Sequence, residues 1–147
     1  MRSRCTATAP IGALVDVNIG LVPDPYGWEH WPEAKALLEP AAKRGGVPIL
    51  EEHEQVFAVM DGGLLAAATA RMTVERYAEV ILVGGRDCNR WLEGLDRVIG
   101  ACASAAGATE LRATGRRGWL KKLKRLGWAV TGERDGFVAY ARPLGVE

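Results

Sequence analysis

Cysteine and histidine are scarce, with three and two copies in 147 residues. Cys5, Cys88 and Cys102 form an odd set without CxxC spacing, and His30 and His53 stand far apart. Neither a disulfide framework nor a structural zinc site is expected, and reduced thiols in a cytoplasmic compartment are the simplest reading. A surplus of one charge is also lacking. The formal net charge is +1, so affinity for a polyanion must come from local clustering. No apolar run approaches the roughly 18 residues of a membrane span. The start carries Arg2 and Arg4, and the stretch 7–17 is broken by Pro10 and Gly12, which argues against a secretory signal. Internal repeats and low-complexity segments are missing too.

What is present describes one globular domain. Apolar residues at 48% and charged residues at 25% lie near the soluble average, so a chain of this length can bury a real core. Residues 1–30 read as an irregular segment, with a short strand over 13–19 and an aromatic cluster of Tyr26, Trp28 and Trp31 around His30. The 31–44 stretch reads as a helix, with Pro32 in its first turn, Pro40 expected to kink or shorten it, and Gly45-Gly46 at its end. Strands follow at 55–60 and 64–72 across Asp61-Gly62-Gly63, and a third at 77–83, whose Val80-Ile81-Leu82-Val83 run reads as buried on both sides. Gly84-Gly85 is expected to break that strand, and Asp87 or Asn89 to cap the next helix. Trp91, Leu92, Leu95, Val98, Ile99, Cys102, Ala103 and Ala106 keep one helical face over four turns up to Gly107. A strand at 109–114 after this helix is expected to run parallel to 77–83. A second helix spans 117–126, with Trp119, Leu120, Leu123 and Leu126 on its buried face. The last hairpin joins 128–131 to 137–142 across 132–136.

The order helix, antiparallel meander, glycine break, long helix, strand, short helix, strand pair resembles the GNAT (Gcn5-related N-acetyltransferase) fold, a single α/β (α+β) domain over 1–147 with a recognisable core at 55–144. Leu123–Trp128, LKRLGW, looks like the segment in which that family's short helix ends in Leu-Gly-Phe. The resemblance implies a CoA pyrophosphate held on backbone amides at the N-terminus of the long helix. The matching segment is Gly84-Gly85-Arg86-Asp87-Cys88-Asn89-Arg90-Trp91, which lacks the family's Gly-x-Gly and places Asp87 near the phosphates. Gly84, Gly85, Arg86 and Arg90 are the cofactor-binding candidates it leaves. The family's tyrosine acid falls on Leu123, which carries no proton, and Glu79 is the candidate base. The run Glu51-Glu52-His53-Glu54 reads as a solvated loop. Gly115-Arg116-Arg117-Gly118-Trp119 is similar to small GNAT-like proteins of tailed bacteriophages.

Arg116, Arg117, Lys121, Lys122, Lys124 and Arg125 put six cations in ten residues. Such a face suits packaged DNA, an acidic virion protein or the CoA 3′-phosphate, and is equally a solvated amphipathic helix; Trp28 and Trp31 are the other partner-binding candidates. Two functions follow. The favoured one is a phage virion or assembly component, located in the virion or host cytoplasm, with no cofactor, no metal and no membrane, acting by binding protein or DNA and open to homo-oligomerisation. The alternative is a divergent acyl-CoA-dependent N-acyltransferase using acetyl-CoA.

Overall fold

The computed structural model describes residues 7–8, 17–72 and 75–145. Its strands are β1 (Ala7–Thr8), β2 (Asn18–Val22), β3 (Glu54–Met60), β4 (Leu64–Met72), β5 (Tyr77–Gly85), β6 (Glu110–Gly115), β7 (Ala129–Arg134) and β8 (Phe137–Pro143). The helices are α1 (Trp31–Gly45), α2 (Cys88–Ala105) and α3 (Leu120–Arg125). The eight strands of the described residues share one sheet in the order β1-β2-β3-β4-β5-β6-β8-β7. Every neighbouring pair is antiparallel except β5 and β6, which α2 joins by a crossover. No described helix is long and apolar enough to cross a membrane.

Each face of the sheet is covered by one long helix. The apolar stripe of α2, led by Trp91, Leu95, Val98 and Ile99, packs with Ile19, Phe57, Val59 and Ala68. On the other face, Trp31, Ala34, Leu38 and Ala42 of α1 pack with Val56, Ala58, Ala67 and Leu82. β4 is the densest strand, buried without interruption from Leu64 to Ala70. Small alanines there let α1 approach closely. Thr69 is the buried polar side chain of this strand, and its hydroxyl has no hydrogen-bond partner among the described residues. A valine has the same shape without the orphan. Thr69→Val is therefore expected to raise unfolding stability, by up to about 1 kcal/mol, in urea denaturation.

Several expectations need correction. Pro40 does not end α1, which continues to Gly45. The carbonyl it frees, on Ala36, lies with Pro40 itself on the exposed side, open to solvent. Gly84 and Gly85 do not break β5 but are its last two residues, paired with Ala67 and Ala66. Asp87 occupies the N-cap position of α2, but its side chain makes no capping bond. The 117–126 helix is a 3-10 turn at Arg117–Trp119 followed by the shorter α3, with only Leu123 fully buried. The last hairpin turns tightly at Asp135 and Gly136, both at positive φ, so its strands are longer than expected. Trp31 is buried against the sheet, so it is an anchor of α1 and not a partner-binding surface. Cys102 is disulfide-bonded while Cys88 is free, so the reading of three reduced thiols fails at Cys102. Sequence spacing does not register pairings set by tertiary proximity. Of the strand expected at 13–19, residues 13–16 lie outside the described residues.

The expectation of a fully buried Val80–Val83 run also fails, and the reason bears on function. β5 pairs with β6 only from Tyr77↔Glu110 to Val80↔Ala113. Beyond that point β5 stays with β4, while Thr114 and Gly115 of β6 stay with β8. The two parallel strands fork. Val80, Ile81 and Val83 are left half-buried at the opening.

Candidate active site

The fork opens a cleft of about 360 Å³ that passes through the sheet. Its walls include Ala41 and Arg44 of α1 on one face and Leu92, Leu95 and Asp96 of α2 on the other. A bulge sits at its centre. Thr69 pairs with Leu82 and Ala70 with Val80, so Ile81 has no partner on β4, and the pairing with β6 has already ended at Val80. Ile81 and Leu82 consequently pack toward the same side, that of α1. Sequence reading missed this bulge because the Val-Ile-Leu-Val run has no glycine or proline to mark it.

At the α1 end, three strands contribute one row of charge. Register places Glu54 of β3 opposite Arg71 of β4, and Arg71 opposite Glu79 of β5. The Arg71 guanidinium donates to Glu79 at 3.3 Å. Glu54 lies two residues before Val56, which packs under α1, so the row shares that face. Glu51, Glu54, Arg71 and Glu79 all line the cleft. Oε1 of Glu54 is shielded from solvent and has no hydrogen-bond partner among the described residues. Burial pushes the Glu54 carboxyl above its ordinary value. A backbone hydrogen bond at Glu51 and the charge of Arg71 oppose this, and the charges of Glu51 and Glu79 reinforce it. The expectation of a solvated Glu51–Glu54 loop therefore holds for Glu51, Glu52 and His53, which are exposed, and fails for Glu54. The missed signal was alternation: Glu54, Val56 and Ala58 are every second residue of one strand. Glu79 lines the cleft and is already paired with Arg71.

A second hollow, which shares no lining residue with the cleft, lies at the N-terminus of α2. Asp87, Cys88, Asn89 and Arg90 form this shallow hollow together with Lys122. Arg90 is held by Asp61 at 3.0 Å. The Arg86 amide is taken by the Leu65 carbonyl at 3.1 Å, and the Arg86 carbonyl accepts from the Trp91 indole at 2.6 Å. Gly84 and Gly85 are not a phosphate cradle. A Cβ on Gly84 would lie 2.0 Å from the Leu37 carbonyl oxygen, and one on Gly85 would lie 2.6 Å from Cα of Ala66. Their missing side chains admit the protein's own backbone. What remains for an anion are the amides of Cys88 and Asn89 with Lys122, and with Arg90 that Asp61 already pairs, against the opposing charge of Asp87. Lys122 also acts on Cys88, whose thiol burial pushes up and the lysine charge pulls back.

The other basic candidates do not converge. Arg117 pairs with Glu133, Arg116 is exposed but lines the cleft, and Lys121, Lys124 and Arg125 are exposed. Leu123 is buried and lines the cleft. Trp28 is half-buried against the α1 core, with its ring 5.5 Å from that of His30.

No family model and no curated protein matches the sequence. Solved structures do match, over nearly the whole chain. An IAA acetyltransferase from Bacillus cereus superposes with a TM-score of 0.66 at 12% identity, covering 88% of this chain and 100% of its own. The GNAT domain of S. lividans PAT gives 0.65 at 15% identity, covering 87% and 90%. A Bacillus subtilis acetyltransferase in complex with CoA gives 0.60 at 11%, covering 86% and 97%. At such identities the likeness establishes the fold, which is the GNAT fold. It gives no support to the narrower bacteriophage resemblance.

Proposed function

We propose that this protein transfers an acyl group from an acyl-CoA to an amine, the alternative in the sequence reading. The observation that carries this is the cleft through the forked sheet with a carboxylate row on its α1 side, together with a separate hollow at the α2 N-terminus that Arg90 and Lys122 line. A donor and an acceptor entering from opposite faces would meet at the bulged strand β5. Likeness to a structure that holds CoA supports the donor class.

The residues fit such a donor. The first-turn amides at Cys88 and Asn89, with Arg90 and Lys122, would hold its pyrophosphate. Bound acyl-CoA supplies the activated thioester. The unpaired stretch at Ile81 offers peptide groups to orient a thioester carbonyl. The carboxylate row takes the proton that the amine must lose as its nitrogen bonds to the carbonyl carbon and the carbon–sulfur bond breaks. Leu123 offers no proton, so the leaving thiolate is protonated by solvent water. Apolar walls of Leu92, Leu95 and Ile99 exclude water from the reacting carbon.

Calorimetry with acetyl-CoA tests the reading. Saturable binding that survives moderate salt is expected, and Lys122→Ala is expected to weaken it about tenfold, the worth of one charge-assisted contact. No binding would leave the fold as a scaffold, the favoured reading from the sequence.

A further inference from the structure

Given acyl transfer, the amine proton needs an acceptor, and carboxylates in the cleft are placed to serve. Three line the α1 end of the cleft: Glu51, Glu54 and Glu79. Glu79 is engaged by Arg71, and Glu51 sits exposed in the loop before β3. Glu54 differs from both. It stands on a rigid strand, in the same cross-strand row as Arg71 and Glu79, and it carries a buried oxygen with no partner among the described residues. A buried carboxylate oxygen left unpaired is unfavourable, and it is relieved either by taking a proton or by accepting an N–H from a bound molecule. A base that first orients an amine and then deprotonates it does both.

We propose that Glu54 is the proton acceptor for the attacking amine, with Arg71 and Glu79 as positioning residues that fix the charge beside it. This rests on the acyl-transfer reading above. The lone pair of the amine attacks the thioester carbonyl, its proton passes to the Glu54 carboxylate, and the thiolate departs and takes a proton from water. The charged groups facing Glu54 are Glu51 from the preceding loop, Arg71 from β4, Glu79 from β5 and Arg44 from α1 across the cleft. The raised Glu54 carboxyl agrees with the role. Below its pKa the group is protonated and cannot accept, so kcat/KM is expected to rise with pH through that value, above the usual glutamate range.

The test uses the full chain, acetyl-CoA and a panel of primary amines, with free thiol measured across pH. Glu54→Gln is expected to lower kcat/KM about 100-fold or more and to abolish the acidic limb of the profile, with acetyl-CoA affinity retained. Glu79→Gln is expected to shift that limb and to lower kcat/KM by less than Glu54→Gln does. Carbon-13 titration of the protein without acyl-CoA should place the Glu54 carboxyl above the ordinary range, a readout that needs no turnover. An undiminished rate in Glu54→Gln, a loss confined to Glu79→Gln, or an ordinary or lowered Glu54 titration overturns the assignment. Absence of thiol release from the unsubstituted protein with every amine overturns the acyl-transfer reading itself and the assignment with it. The unsubstituted protein thus separates the two failures.

Discussion

Asp96→Ala is expected to lower the unfolding free energy by about 3–5 kcal/mol, the range for removing one partner of a buried ion pair. Asp96 projects from the middle of α2 and joins two distant parts of the chain. Its Oδ1 accepts the Trp128 indole at 2.9 Å, and its Oδ2 lies 3.2 Å from Nε of Arg142 on β8. The side chains of Arg142 and Asp96 are only 18% and 13% exposed, so solvent screening is slight. Truncation leaves a guanidinium and an indole N–H facing a low-dielectric gap, and that penalty, more than the attraction lost, sets the size of the effect. Burial pushes the Asp96 carboxyl above its ordinary value, and Arg142 and Trp128 pull it back without prevailing. A carboxyl raised in the folded state contributes stability below the unfolded pKa and loses it as pH rises through the folded value. The comparison therefore belongs at mildly alkaline pH, where the carboxylate is charged in both states. Asp96→Asn keeps an acceptor for Trp128 and should lose less. A loss in Asp96→Ala below about 1 kcal/mol, the size of an exposed pair, would contradict the role of this bridge.

The regular elements are legible in the sequence because their apolar periods are long. The α2 stripe from Trp91 to Ala103 reads as a helix without ambiguity, and Asp61-Gly62-Gly63 marks a hairpin because it lies between apolar runs. The parallel pairing of β5 and β6 follows from the helix between them, since a crossover of that length returns to the same sheet edge. Boundaries are less legible. Trp119 and Leu126 match a helical face, yet Arg117–Trp119 winds as a 3-10 turn and only Leu123 is fully buried.

The site is less legible than the fold because it arises where pairing stops. Val80-Ile81-Leu82-Val83 has the composition of a fully buried strand, and nothing in it says that β6 diverges after Ala113. Glu54 is hidden for a related reason. In sequence it stands in a run of polar residues, whereas in the sheet it heads the inward column of β3 and meets Arg71 from the far side of the Asp61-Gly62-Gly63 hairpin. Lys122 groups in sequence with the basic residues around it, and only the packing of α3 beside the start of α2 separates it from Lys121 and Lys124. Charge that serves a site and charge that faces water have the same sequence signature until the third dimension is added.

Gly84→Ala is the substitution expected to couple stability to the site most directly. Its Cβ would lie 2.0 Å from the Leu37 oxygen and 2.8 Å from the Leu37 carbonyl carbon, both backbone atoms of α1. Rotamer changes cannot relieve such contacts, so α1 must lift from β5 or β5 must bend. The cost is expected near the top of the overpacking range, about 3 kcal/mol, read as a lowered urea midpoint. Gly132→Ala, on β7 with nothing within 4 Å of the added carbon, is the control, expected within about 0.5 kcal/mol of the unsubstituted protein. The functional consequence follows from geometry. α1 carries Ala41 and Arg44 on the cleft wall, and β5 carries Glu79 and the Ile81 bulge. Displacing one against the other widens the α1 end of the cleft and moves the charged row relative to its lid. On the acyl-transfer reading, amine-dependent thiol release should therefore fall in Gly84→Ala even at temperatures where the variant remains folded, while acetyl-CoA affinity, which that reading assigns to the start of α2, changes less. Equal losses of affinity and turnover would instead mean that the strain spreads through β5 to the helix N-terminus.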